Sequence, residues 1–425
     1  MPAALSKVRI LEIGHALSVP FAVQLLADFG AEVIKVERPD GGDLFRAAAA
    51  PFAKDKDGKV LESSGFLAIN RNKKSIALDI TRPEGQDVVR RLAAKSDVLI
   101  ENLKTGDLAR YGLDYASLRK VNPRLIYLSL TGFGQTGPYA ARGGLDSIFQ
   151  AMSGVMSITG EPDGPPQKIG YLLADTTSGM YAALGILIAL YHRDAAGGGH
   201  DDAGGGHDAA SGGHDAASGV GQYIDLAMLD AMIAAMNSRV QGYLISGDIP
   251  MRAGTSTLGA GPAQPLPCKD GGLNVSAGMQ TQFPNFCKVL GHPELMEDAR
   301  FATQQARTDN RQALTARLTE IFREKTVAEW YGQLVAGGVL CAPIYTIPQA
   351  LQDPQVKARE VIGEIPHPTI GKLPIVRNPL RMSATPAQYT RHPPLVGEHT
   401  REVLKQLLGM SDADADALRA KGVIG

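Results

Sequence analysis

Residues 171–185 read YLLADTTSGMYAALG: an apolar run stops at one carboxylate, Asp175, before small and hydroxyl residues and an apolar helical pattern. Residue type alone leaves two readings of Asp175. It caps a helix by accepting a backbone N–H, or it does chemistry as a nucleophile. A carboxylate is a weak nucleophile in water. Held against an electrophilic carbon and partly stripped of water, it becomes a useful one. It must then stay ionised near neutrality, and burial works against that, so nearby N–H donors are needed to offset the desolvation. The small residues after Asp175 let the backbone come close, and a helix starting there adds roughly 0.3–1 kcal/mol in favour of the anion.

A second set of chemistry-bearing residues is basic. Lys35, Arg38, Lys73, Lys74 and Arg110 recur near the ends of expected strands. Positive charge at the mouth of a parallel sheet suits a phosphate-bearing ligand; solvated surface charge is the plainer alternative. Other chemistries find no motif. The first strand–helix turn, EIGHALSVPF, has only Gly14 where a dinucleotide site wants G-x-G-x-x-G, and Arg38 follows Glu37 where a ribose-binding acid would end its strand. No P-loop, HExxH, G-x-S-x-G or CxxC sequence occurs. Cys268, Cys287 and Cys341 are scattered and odd in number, which fits neither a disulfide framework nor a metal site.

The elements that must position these groups follow from periodicity. Apolar runs at residues 8–13, 31–37, 75–80, 97–102 and 124–130 read as buried strands, with helices at 18–30 (Ser18 as N-cap) and 83–96 (Pro83 in its first turn). Strands alternating with helices imply βαβ units and a mostly parallel sheet. Residues 221–237 read as a strand running into a helix. Residues 273–346 read as a smaller α/β unit, with Asn310 and Thr326 as helix caps, and the tail as two short helices. Between them lies a Gly/Ala/Ser insert, residues 195–219, repeating every seven residues with His200, His207 and His214 each before Asp. Such a tract cannot build a core and is expected to be a loop, with weak metal binding the alternative.

The 425 residues carry 20% charged and 44% hydrophobic residues and a formal net charge of −1, a composition for a two-domain globular protein rather than a nucleic-acid binder. No apolar run reaches the ~20 residues of a membrane span, and the start lacks a signal-peptide core. A cytoplasmic protein with no membrane partner is expected.

Taken together, the motifs resemble the family III CoA-transferases (CaiB/BaiF), which include formyl-CoA and dicarboxylate CoA-transferases; α-methylacyl-CoA racemase shares the fold. The matching pieces are VIKVERP with GD at 42–43, NRNKKSIALD, DVLIENL with RYG, SLTGFGQTGPY, ADTTSGMYAALGILIAL, GVGQYIDLAMLDAM and LVGEHTREVL. The resemblance implies an α/β fold: a Rossmann-like large domain with a mostly parallel sheet, a smaller α/β domain and an interlocked, ring-like homodimer. The expected organisation is a large domain over 1–194, the insert over 195–219, a linker helix and Gly-rich loop over 220–272, the small domain over 273–346, and a return segment over 347–425.

By the same resemblance Asp175 is the nucleophile. Gly259 and Gly261, in a Gly-rich lid, and Asp146 support it. Ala16, Leu17, Arg38, Asn72, Lys73, Lys74, Asn102, Leu103, Arg110 and Tyr111 bind CoA. The substrates are an acyl-CoA and a small carboxylic acid, with coenzyme A as substrate and no permanently bound cofactor or metal. Succinyl-CoA as donor and a dicarboxylate as acceptor are expected, with Arg307 and Arg377 as candidates for the distal carboxylate. Two alternatives stand beside this: an acyl-CoA racemase, and a non-catalytic CoA-binding protein. Against the first, Leu145 occupies the place of the racemase histidine before Asp146, and leucine carries no proton.

Overall fold

The computed structural model describes residues 3–48, 50–55, 57–195, 219–255 and 261–425. The repeat histidines and Gly259 lie outside the described residues. The chain forms two compact units. The first takes Met1–Ser153, Ile169–Gln241 and Glu360–Gly425; the second takes Gly154–Lys168 and Gly242–Arg359. The second unit is therefore wider than the 273–346 expected, and the chain returns to the first unit at Glu360 rather than at 347.

The first unit is built on strands β1 (Arg9–Ile13), β2 (Glu32–Glu37), β3 (Lys73–Ala77), β4 (Val98–Glu101), β5 (Ile126–Thr131) and β6 (Tyr223–Ala227). All neighbours pair in parallel, in the order β3-β2-β1-β4-β5-β6. Each of the first five strands is a nearly continuous buried run, as expected when helices cover both faces. The strand order reverses between β1 and β4. In a doubly wound sheet, that is where ligands meet the carboxyl ends of the strands.

The helices that matter most here are α1 (Ser18–Ala27), α2 (Pro83–Ala93), α3 (Asp146–Met152) and α4 (Leu173–Ala195). Helix α2 has Pro at its start and a buried apolar face, as read from the sequence. Helix α4 is long and apolar enough to cross a membrane by length and composition, but half of it is buried inside the protein. The chain end closes this unit: the Asp79 amide donates to the Val423 carbonyl, and the His399 amide to the Ser75 carbonyl.

In the second unit, β7 (Ala263–Pro267), β8 (Gly272–Ser276) and β9 (Leu340–Pro343) form an antiparallel sheet in the order β9-β8-β7. Helices α5 (Phe283–Leu290), α6 (Arg311–Phe322) and α7 (Val327–Ala336) pack a core around Phe286, Phe322 and Trp330. Thr326 closes a full capping box on α7, but Asn310 makes no side-chain cap on α6.

Candidate active site

Asp175 is not a cap. Helix α4 begins at Leu173, so Asp175 stands inside its first turn. The capping is done by Asp146 from α3, whose Oδ1 accepts the Ala174 amide at 2.7 Å and the Asp175 amide at 3.4 Å. Gln150 Nε2 donates to the other Asp146 oxygen at 2.5 Å. Asp146 thus satisfies the free N–H groups of α4 and leaves the Asp175 carboxylate unspent.

Ser18, expected as an N-cap, is instead the first residue of α1 and makes no cap bond; Leu17 holds the cap position. The Ser18 hydroxyl and amide face Asp175 and favour its ionised form. Gly179 makes this meeting possible. A Cβ there would come within 2.8 Å of the Ser18 carbonyl and 2.9 Å of Phe21 Cδ1. The D-x-x-x-G spacing therefore puts the carboxylate and the close-contact glycine on the same face of α4, against the start of α1.

Burial pushes the Asp175 carboxyl up to about 6, and the Asp146 charge adds to the rise, while the Ser18 hydrogen bonds oppose it. A carboxylate in that range is ionised at pH 7 yet partly desolvated, the condition a thioester-attacking nucleophile needs.

Asp175 lines a cavity of about 470 Å³ over the β1/β4 reversal, with His15, Ala16, Ser18, Asn102 and Leu103 on its wall. Two further cavities adjoin it. One, of about 230 Å³, shares His15 and Leu103 and adds apolar Leu44, Leu78 and Ile80. The other, of about 650 Å³, shares Leu103 and Asp107 and brings in Arg38, Arg110 and Tyr111. One end of this cleft carries Arg38 and Arg110 among Asp40, Asp79 and Asp107, the middle is apolar, and the far end holds the Asp175 carboxylate.

Asn102 ties the two strand ends together. It accepts the His15 amide at 3.0 Å and donates to the His15 carbonyl at 2.9 Å. Ala16 sits at φ 62°, a conformation rare for a residue with a Cβ, and its amide is held by Asp43 Oδ1 at 3.1 Å. His15, which lines two of the cavities, was not singled out by the residue pattern. Burial keeps its ring below the usual range, with Lys35 adding to this and Asp43 opposing it.

Beneath the strand ends runs a buried ion network. Lys35 pairs with Glu12 at 2.9 Å and Asp43 at 2.8 Å, Lys73 with Glu12 at 3.0 Å, and Arg46 with Glu37 at 2.8 Å. Arg46 also meets the half-buried Glu62 at 3.0 Å, so every buried cation of the network faces at least one carboxylate. Burial pulls the Lys73 ammonium down to about 8 although Glu12 supports it.

Three of the residues expected to bind CoA are engaged elsewhere. Lys73 is fully buried, bonded also to the Pro20 carbonyl and Asn70, and cannot meet a phosphate from there. Asn72 is turned to Asp28 and to the backbone at 388–391. Lys74 is held by Glu32 and Glu402, both at 3.0 Å, and lies off the cleft. Arg38 and Arg110 do reach the cleft, paired there with Asp40 and Asp107. Gly261 belongs to the second unit, where its carbonyl accepts Arg307 Nε at 3.1 Å. Arg307 is fully buried and also donates to the carbonyls of Gly278 and Phe301. Arg377 pairs with Glu360 at 2.7 Å. Arg307 is not free to receive a substrate carboxylate, and Arg377 lines none of the three cavities of the cleft.

Comparison with known proteins agrees with this geometry. The model of CoA-transferase family III matches residues 5–201 and 209–400. The succinate–glutarate CoA-transferase of Agrobacterium fabrum is 41% identical over 95% of this chain and 95% of its own length. The succinyl-CoA:glutarate CoA-transferase of Mus musculus is 37% identical over 99% of this chain and 90% of its own. Among solved structures, a CaiB/BaiF family protein from Brucella suis superposes with a TM-score of 0.83 at 38% identity, covering 96% of this chain and 100% of the other. The chain belongs to CoA-transferase family III.

Proposed function

We propose that this enzyme moves CoA from succinyl-CoA to a dicarboxylic acid of glutarate type, with Asp175 as the nucleophile. The observation that carries this reading is the partly desolvated Asp175 carboxylate in a cleft at the sheet reversal, with an apolar stretch beside it and Arg38 and Arg110, each paired with an aspartate, beyond. A CoA thioester has that order of parts. Its phosphates suit Arg38 and Arg110, its pantetheine arm the apolar walls near Leu103, and its thioester carbon the Asp175 oxygens. Relatives that carry succinate–glutarate names over nearly the whole chain support the choice of acids.

Asp175 attacks the acyl carbonyl of the donor and CoA thiolate leaves, giving an acyl-aspartyl anhydride. The thiolate attacks the aspartyl carbonyl, releasing the donor acid and leaving an aspartyl-CoA thioester. The acceptor carboxylate attacks that thioester and displaces the thiolate. The thiolate then takes the new acyl group and frees Asp175. Electron pairs and protons balance without an external oxidant, base or permanently bound cofactor. Oxyanions that develop need N–H donors; the loop carrying Gly259 and Gly261 is the family's lid, and it is proposed in that role here. The expected compartment is the cytoplasm.

A homodimer belongs to the same proposal. Met180, Leu184, Ile188 and Tyr191 are 51%, 51%, 59% and 76% exposed along one face of α4, an apolar stripe suited to a second copy of the chain. The racemase reading is not favoured, because Leu145 is 76% exposed beside Asp146 and offers no proton.

The test is chemical trapping. The protein is incubated with succinyl-CoA and hydroxylamine, and the peptide bearing Asp175 is weighed. A hydroxamate on Asp175, with transfer to glutarate falling at least about 10³-fold in Asp175→Ala, is the expected outcome. Full-speed transfer by Asp175→Ala rules the mechanism out, and unmodified protein that still binds CoA points to a non-catalytic binder.

A further inference from the structure

The cavity that holds Asp175 also has Arg142 on its wall, a residue that neither the sequence pattern nor the proposed mechanism uses. Its placement is specified. The Arg142 amide donates to the Tyr139 carbonyl at 2.8 Å, closing a turn. The guanidinium lies over the Tyr139 ring, 3.8 Å from its centroid. Tyr139 meets Phe133 edge-on at 5.6 Å, and Phe133 meets Phe149 at 5.3 Å. Phe149 is fully buried in α3, and a Cβ on Gly132 or Gly144 would come within 2.5 and 2.3 Å of its ring. Arg142, on the exposed side of this chain of contacts, is thus linked through edge-on rings to the helix that carries Asp146.

Among the described residues the Arg142 guanidinium forms no ion pair, unlike Arg38, Arg110, Arg307 and Arg377, whose side chains are held by carboxylates or carbonyls. A guanidinium stacked on a ring keeps its N–H edge free for the two oxygens of a carboxylate. The cavity needs such a group. Asp146 and Asp175 already bring negative charge to it, so a second carboxylate on the acyl chain enters only if a cation meets it.

Resting on the transferase reading, we infer that Arg142 binds the distal carboxylate of dicarboxylic substrates and so selects them over monocarboxylic acids of equal length. Lys104, the other cation on this wall, lacks the ring support and serves as the control.

The experiment uses the full chain with succinyl-CoA as common donor, and glutarate or valerate as acceptor. Because the donor is the same, any donor effect cancels in the ratio of the two kcat/KM values. Arg142→Gln is expected to lower the glutarate-to-valerate ratio roughly 10- to 100-fold, mostly through the glutarate KM. Arg142→Lys keeps the charge but not the fork and should fall between, which also covers the case of a Gln variant that does not fold. Lys104→Met should leave the ratio within about twofold. An unchanged ratio in both Arg142 variants, or the loss appearing in Lys104→Met instead, overturns the assignment. Calorimetric binding of glutarate to the free enzyme separates the two levels. If the wild type moves no CoA to any acid yet binds glutarate, and Arg142→Gln does not, the transferase reading fails and the assignment of Arg142 stands.

Discussion

At the scale of the residue, the proposed chemistry depends on how far Asp175 is kept from being protonated. Its carboxyl is raised to about 6 by burial first and the Asp146 charge second, with Ser18 pulling the other way. Attack needs the ionised form, so activity should fall as pH drops through about 6. Replacing Asp146 with Asn removes a like charge while its amide oxygen can still accept the Ala174 amide, so the acid limb of kcat/KM should move to lower pH. Ser18→Ala removes a stabilising donor and should move the same limb up. Opposite displacements in a pH–rate profile would bear this out; no displacement in either variant would show that the two side chains do not act on Asp175. The lone carboxylate before small residues was visible in the sequence. Asp146 entered as a supporting residue only through the family resemblance, and Ser18 only as the cap of its own helix. A serine at a helix start looks the same whether it caps its own helix or faces another, and nothing in the chain order near residue 18 announces a neighbour at 175.

Among the elements, the contact that matters is α4 against α1. Gly179 is the point of closest approach, and a methyl group there meets the Ser18 carbonyl and Phe21 with no room to spare. Gly179→Ala should force the helices apart, destabilise the fold by about 1–3 kcal/mol as overpacking does, and cut transfer activity roughly tenfold by drawing Asp175 away from Ser18. Thermal unfolding and steady-state rates on one preparation check both halves; a variant with full activity and stability would mean the close approach is dispensable. The strands were readable because parallel strands covered on both faces are short unbroken apolar runs. The ends were less so. Lys73 and Lys74 read as exposed charges flanking an apolar run, whereas β3 begins at Lys73 and buries it. An ion network spread over β1, β2 and β3 leaves no local pattern, because its members come together only when the strands pair.

For the whole molecule, the second unit borrows Gly154–Lys168 from a region that reads as continuous with the large domain. Such an excursion is invisible to periodicity, since a short loop carries no pattern for which core it joins. The exposed apolar face of α4 makes a prediction at this scale. The wild type should scatter light as a dimer, and Leu184→Glu with Ile188→Glu should yield a monomer. A monomeric wild type would remove the dimer from the proposal.

By itself, the sequence determined the alternation of strands and helices, the family resemblance and the candidate carboxylate, because each rests on residue types close together along the chain. Tertiary structure alone decided that Asp146 rather than Asp175 does the capping, that Ser18 faces the carboxylate, that Lys73 is buried, and that Arg307 is held by carbonyls while Arg142 stands on the cavity wall. Those outcomes depend on which distant groups share a low-dielectric space, where a charge must be paired by whatever the fold brings beside it.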